Sequence, residues 1–188
     1  MFIPTIQEST ANGEKVYDIY SKLLENRIIF ISGEINDTLS NLVISELLYL
    51  DSINHNDINI YINSPGGSVT SGLAIIDTMN FIKSDVRTTV VGMAASMASL
   101  ILASGTKNKR FSLKNSEVMI HQPIGNTSGQ ATDIEIHAKR IINKKKMLNK
   151  MLASLTNQPI DKITIDTERD KYLTSKEALD YGIIDKII

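Results

Sequence analysis

A serine hydroxyl acts as a nucleophile only when a base and oxyanion donors stand beside it, and two segments of this chain offer parts of that arrangement. In the first, Gly92-Met93-Ala94-Ala95-Ser96-Met97-Ala98 begins as the apolar strand Val86–Val91 ends. Its small residues let Ser96 enter the first turn of a tightly packed helix, Ala94–Ser104. There the hydroxyl serves either as a helix cap or as a nucleophile beside free backbone N–H groups. Ala94 and Ala98 occupy both glycine positions of the G-x-S-x-G elbow, so that motif is absent. In the second segment, Ser64-Pro65-Gly66-Gly67-Ser68 directly follows the strand Ile58–Ile62. Paired glycines there allow positive φ and close approach of a ligand to bare amides, so the turn is either a plain strand-to-helix connection or an anion cradle. Phosphate motifs fail: Leu73-Ala74 stands where a P-loop needs Lys-Ser/Thr, and no dinucleotide G-x-G-x-x-G occurs. Ser104-Gly105-Thr106-Lys107 spells S-x-x-K but lies where a helix ends, a chance match.

A serine needs a base, and the chain has three His and no Cys. The missing cysteines exclude thiol nucleophiles, disulfides, Fe–S clusters and Cys-type zinc sites, and no metal is expected. His121 closes the apolar run Val118-Met119-Ile120, at the kind of strand end where open α/β sheets bind ligands. His55 lies in the polar loop Asn54-His55-Asn56-Asp57 and reads as solvated, while His137 reads as part of a subunit contact on a long helix. For an acid to orient His121, Asp133, Asp166, Asp170 and Asp185 all qualify by type, and spacing does not choose among them.

The elements that would hold these residues alternate in type. Asp18–Asn26 reads as a short helix, Arg27–Ser32 as a strand buried on both faces, Asn41–Ser52 as a helix, Ile58–Ile62 as a strand, and Thr70–Lys83 as a helix. Val86–Val91, the helix at Ala94–Ser104 and the strand Glu117–His121 continue the rhythm, which implies right-handed crossovers in an α/β fold. A length of 188 residues predicts a single domain with no second unit. The net charge of -1 offers no field for a phosphate backbone, so nucleic acid is not an expected partner. No segment approaches the roughly 18 apolar residues of a membrane span, and a cytoplasmic protein is expected. Residues 7–15 lack apolar periodicity and carry Asn12-Gly13, a hairpin or arm signal. Ala131–Thr156 runs without Gly or Pro and would be roughly 39 Å long if wholly helical. Its stripe Ile134, Ala138, Ile141, Leu148, Leu152 and Leu155 outruns a small globule and predicts contact with another subunit. Lys139, Arg140, Lys144, Lys145 and Lys146 crowd another part of that helix and read as a solvated face.

Five blocks, Tyr61–Thr70, Ala94–Met97, Met119–Pro123, Gly129–Ala138 and Asp166–Asp170, stand in an order and at separations that closely resemble the ClpP family, the proteolytic subunits of the ATP-dependent Clp protease. The resemblance implies a serine endopeptidase in which Ser96 is the nucleophile, His121 the general base and Asp170 its orienting carboxylate. It implies that the backbone N–H groups of Gly67 and Met97 form the oxyanion hole. The fold implied is a crotonase-like α/β spiral with residues 131–156 as a protruding handle, which meshes two stacked seven-membered rings into a chamber where unfolded polypeptides are cut to short peptides. Residues 2–15 resemble the axial arm, and Tyr61, Phe81, Phe111 and Ile188 the cleft that receives loops of a AAA+ unfoldase. That partner would use the ATP, with no cofactor bound by this chain. The sequence departs from the family pattern at Met93, Ala98 and Asn59, where Gln, Gly and an aromatic residue are usual, which leaves room for a specialised or non-catalytic subunit in rings mixed with a paralogue. A crotonase-type acyl-CoA enzyme is the remaining reading, and it leaves Ser96 and His121 unexplained as a pair.

Overall fold

The computed structural model describes residues 3–10 and 13–188. Residues 1, 2, 11 and 12 lie outside the described residues, so Asn12 of the expected turn and parts of the arm at 2–15 are not placed. Around them, β1 (Thr5–Thr10) and β2 (Gly13–Asp18) pair antiparallel, with Thr10 opposite Gly13.

Period-two alternation builds the main sheet. In β4 (Ile58–Ser64), Ile58, Ile60 and Ile62 are fully buried, while Asn59 and Tyr61 are half-buried on the opposite face. Each buried isoleucine contributes about 1.5–3 kcal/mol of apolar transfer. Parallel partners are β3 (Ile28–Ser32), β5 (Val86–Ala95), β6 (Arg110–Ser112) and β9 (Lys186–Ile187), in the order β3-β4-β5-β6-β9. The β3 run is not buried on both faces as its β-branched composition suggested. Ile29 and Ile31 are in the core, but Ile28 and Phe30 are half-buried on a partly open face, where Phe30 stacks on Tyr61 at 5.7 Å.

Helices close the other face. In α2 (Asp37–Ile53), Asn36 caps the first turn by accepting from the Leu39 N–H, and Val43, Leu47 and Leu50 recur at helical spacing toward the core. Its C-terminus is held by Arg27, a left-handed residue (φ 61°) whose guanidinium donates to the carbonyls of Leu50, Asn54 and Asn56. α3 (Val69–Phe81) packs beside it, and α4 (Met97–Ala103) packs on α3, both contributing to the core cluster.

The site depends on an irregularity in β5. Gly92, at φ 90°, breaks its regular course. Before it, Thr88–Val90 pair with β6; beyond it, Met93–Ala95 pair with β7 (Glu117–Ile120). The strand therefore runs four residues past Val91, and α4 starts at Met97 rather than Ala94. Small side chains at 94 and 95 are compatible with either state; ladder bonding to β7 decides for strand. On the far side of β7 lies β8 (Lys171–Thr174), antiparallel, an exception to the all-crossover expectation. It is reached through α5 (Ala131–Thr156) and α6 (Ile160–Asp166), and is followed by α7 (Ser175–Tyr181), which opens with a Thr174/Glu177 capping box and stops at left-handed Gly182. No helix among the described residues is long and apolar enough to cross a membrane.

The stripe on α5 divides. Leu148 and Leu152 are buried in the chain's own core, and Ile141 lies against the 122–130 segment, where a Cβ on Gly125 would come within 2.5 Å of it. Only the N-terminal part, with Ile134 and Ala138, faces outward from the globule.

Candidate active site

Ser96 occupies the single residue between β5 and α4, with φ 55° and ψ −121°. This conformation costs a non-glycine residue about 1–3 kcal/mol and persists because the surroundings over-determine it. The Ser96 N–H donates to the Met119 carbonyl at 2.8 Å, while its own carbonyl accepts from the Ser99 N–H and hydroxyl. With both backbone groups committed, the side chain makes no cap bond although it sits at the cap position. The strand–turn–helix geometry of an elbow thus arises without its glycine letters.

The free hydroxyl lies 2.8 Å from His121 Nε2, and His121 Nδ1 lies 2.9 Å from Asp170 Oδ1. An ionised carboxylate only accepts, so Nδ1 carries the proton in this pair and Nε2 is left to accept from the serine. Of the four acids that qualified by type, Asp170 alone among the described residues pairs with His121. Asp166 is engaged by Lys171, Lys162 and Tyr181; Asp185 forms a double ion pair with Arg110; Asp133 lies in the first turn of α5. His55 is exposed but not merely solvated, its Nδ1 lying 3.0 Å from Asp51, and His137 is exposed on α5.

The glycine turn presses against this residue. A Cβ on Gly66 (φ 92°) would stand 2.6 Å from the Ala95 carbonyl and 2.7 Å from Ser96 Cβ; one on Gly67 (φ 150°) would stand 2.3 Å from the Ile35 carbonyl. The turn is built by Ser64, whose hydroxyl donates to the Gly33 carbonyl and accepts from the Gly66 N–H. Gly66 and Ser68 bond to Ile35 through their carbonyl and N–H, so among the described residues the N–H groups of Gly67 and Met97 have no internal acceptor. Two unspent donors beside an activated hydroxyl can stabilise an oxyanion.

Beside Ser96 and His121 a cleft is walled by Val69, Met97, Leu100, Pro123, Leu148 and Leu152, with Asn149 and Thr167 bonded to each other among its lining. Its free space is about 30 Å³, room for a water-sized group. Leu148 and Leu152, read from sequence as subunit contacts, therefore line the pocket next to the hydroxyl. A helical stripe carries no mark of which segment of it covers the chain's own site.

The remaining expected residues lie elsewhere. Tyr61 and Phe111 share the open sheet face with one strand between them, Arg87 stands over the Phe111 ring at 4.1 Å, and Ile188 follows β9 with its N–H on the Ser112 carbonyl. Phe81 stands at the end of α3, 80% exposed. Sequence reasoning missed Lys171 and Gln122. The Gln122 backbone N–H and side chain donate to the carbonyls of Thr167 and Glu168, lashing the residue after His121 to the loop that carries Asp170. Residues 11–188 match the family model described as Clp protease.

Proposed function

The chain belongs to the Clp protease family, and from that premise we propose that it is the serine endopeptidase subunit of a Clp complex, cleaving unfolded polypeptides with Ser96 as nucleophile. His121 takes the Ser96 proton as the hydroxyl attacks the scissile carbonyl, and Asp170 keeps the imidazole in the tautomer that makes this possible and stabilises the imidazolium formed. The oxyanion that develops is received by the N–H groups of Gly67 and Met97, and His121 then returns its proton to the leaving amine. Water, activated by the same imidazole, hydrolyses the acyl-enzyme. The single observation that carries this reading is the unbroken Ser96–His121–Asp170 chain of hydrogen bonds at 2.8 and 2.9 Å. Apolar walls beside Ser96 favour a hydrophobic side chain before the cut bond, once the 122–130 segment gives way to widen the cleft.

The wider reading follows the same family. α5 serves as the handle pairing two seven-membered rings, with or without a paralogue. The arm at 2–15 borders the axial pore, and Tyr61, Phe81, Phe111 and Ile188 receive a AAA+ unfoldase that uses the ATP. A partly open, aromatic sheet face is suited to docking of this kind.

A fluorophosphonate probe tests the chemistry. The parent protein should be labelled at Ser96, whereas Ser96→Ala should be unlabelled, inactive on short peptides and proteins alike, and still assembled. A variant rate within about tenfold of the parent would overturn the assignment, because members of such a triad act as a unit worth several orders of magnitude.

A further inference from the structure

Asp170 poses a positioning problem. Its side chain is 56% exposed, so burial does not hold the carboxylate in front of His121. It lies in a short connection between α6 and β8, and exposed acids in such loops sample several rotamers. Something outside the three-residue relay must fix it.

We propose that Asp166, acting through Lys171, is a positioning residue that holds Asp170 against His121. Asp166 ends α6 and Lys171 opens β8, so their ion pair closes the loop containing Asp170 into a small ring. Lys171 is the residue directly after Asp170 and stands opposite Ile120, the residue directly before His121. Fixing Lys171 therefore fixes the rung beside the His121–Asp170 pair, and a one-residue slip would turn Asp170 to the other face. Asp166 is itself anchored from a third element: its second oxygen accepts from the Tyr181 hydroxyl of α7 at 2.8 Å, and the Lys162 ammonium approaches it at 3.4 Å from the preceding turn of α6. The cluster joins α6, β8 and α7, with Asp166 14% exposed and the Tyr181 side chain buried. Burial pushes the Asp166 carboxyl upward, but the bonds from Lys171 and Tyr181 outweigh it and hold the acid below the ordinary carboxylate range, as an anionic anchor requires. On the opposite side, Gln122 fastens the Thr167 and Glu168 carbonyls, so the loop is gripped before and after Asp170. Asp166, Lys171, Lys162 and Tyr181 are not among the residues that line the cleft beside Ser96.

The inference rests on the proposed role of Asp170, and a double-mutant cycle in the assembled protein separates the two. Asp166→Ala and Lys171→Met are each expected to lower kcat on a short fluorogenic peptide by about 10- to 100-fold with KM little changed, because the loss falls on the orientation of the imidazole and not on substrate binding. Lys171→Arg should restore most of the loss. In an Asp170→Asn background, Asp166→Ala should cost nothing more. A second loss of the same size there, or a loss in Asp166→Ala that falls on KM instead of kcat, would overturn the positioning role while leaving Asp170 intact. Near-parental activity of Asp170→Asn would instead overturn the role of Asp170. Should Asp166→Ala fail to fold, Lys171→Met in both backgrounds decides by the same criterion.

Discussion

His121 and Asp170 stand where the next rung of the β7–β8 ladder would be, directly beyond the pair Ile120 and Lys171. The only antiparallel pairing in the main sheet among the described residues thereby brings a base and an acid 49 residues apart in sequence to 2.9 Å. The Asp170→Asn variant should therefore fold normally while losing about 10³- to 10⁴-fold in kcat, since an amide lets the imidazole adopt the wrong tautomer. Steady-state kinetics on a short peptide, with melting temperature as the folding control, would check this; a loss below tenfold would show that the ladder geometry does not serve the imidazole.

Gly66 is the second point of control. A methyl group there collides with the Ala95 carbonyl and Ser96 Cβ, and φ of 92° is unfavourable for any L side chain. Gly66→Ala should push the turn away from Ser96, separating Gly67 N–H from Met97 N–H. Loss of one oxyanion donor is worth roughly 10²- to 10³-fold in kcat. Fluorophosphonate labelling should slow in parallel while the oligomeric state stays that of the parent. A variant labelled at the parental rate would show that the turn is only a connection.

How much of this could be read from the residues alone differs from element to element. The alternating isoleucines of β4 announced a strand, and the blocks around Ser96, His121 and Asp170 carried a family resemblance that the match over residues 11–188 shows. Residues at positions 94 and 95 did not reveal their state, because alanine is at home in either and only pairing with β7, a contact 24 residues distant, makes them strand. Leu148 and Leu152 sit on a stripe whose periodicity states that a face is buried but not against what. Asp170 could not be chosen over Asp166 by spacing, since both lie in one short stretch and only the fold leaves Asp166 at the end of α6 and sets Asp170 against His121. Lys171 had no signal at all and Gln122 only its place in the Met119–Pro123 block, both being polar residues whose significance is a matter of their neighbours.

Acid should unfold the protein partly through Asp51. This carboxylate accepts from the Ser84 N–H and hydroxyl, the Lys83 N–H and His55, joining the end of α2 to the turn before β5. Burial pushes its pKa up, yet those bonds outweigh it and hold it at about 2, against roughly 3.9 in an unfolded chain. A depressed folded-state value means stability that is fully present above about pH 4 and is lost as pH falls toward 2. Asp51→Asn should therefore be less stable than the parent at neutral pH, with the gap in melting temperature closing between about pH 4 and 2. A gap that stayed constant through that window would show that the Asp51 charge contributes nothing.

The two ends of the α5 stripe should behave differently. Ile134 is 40% exposed in the first turn, so Ile134→Glu leaves the chain's own core untouched and even suits the helix N-terminus, but places a carboxylate in the proposed ring-to-ring contact. Burying it unpaired costs several kcal/mol, enough to shift a pairing equilibrium toward single rings. Ile141 instead covers Gly125 within the same chain, so Ile141→Glu should free the 122–130 segment that joins His121 to α5 and depress kcat without changing assembly. Sedimentation velocity and peptidase rates on the same samples separate the cases. Lighter particles from Ile141→Glu, or unaltered particles from Ile134→Glu, would move the contact to another part of the helix.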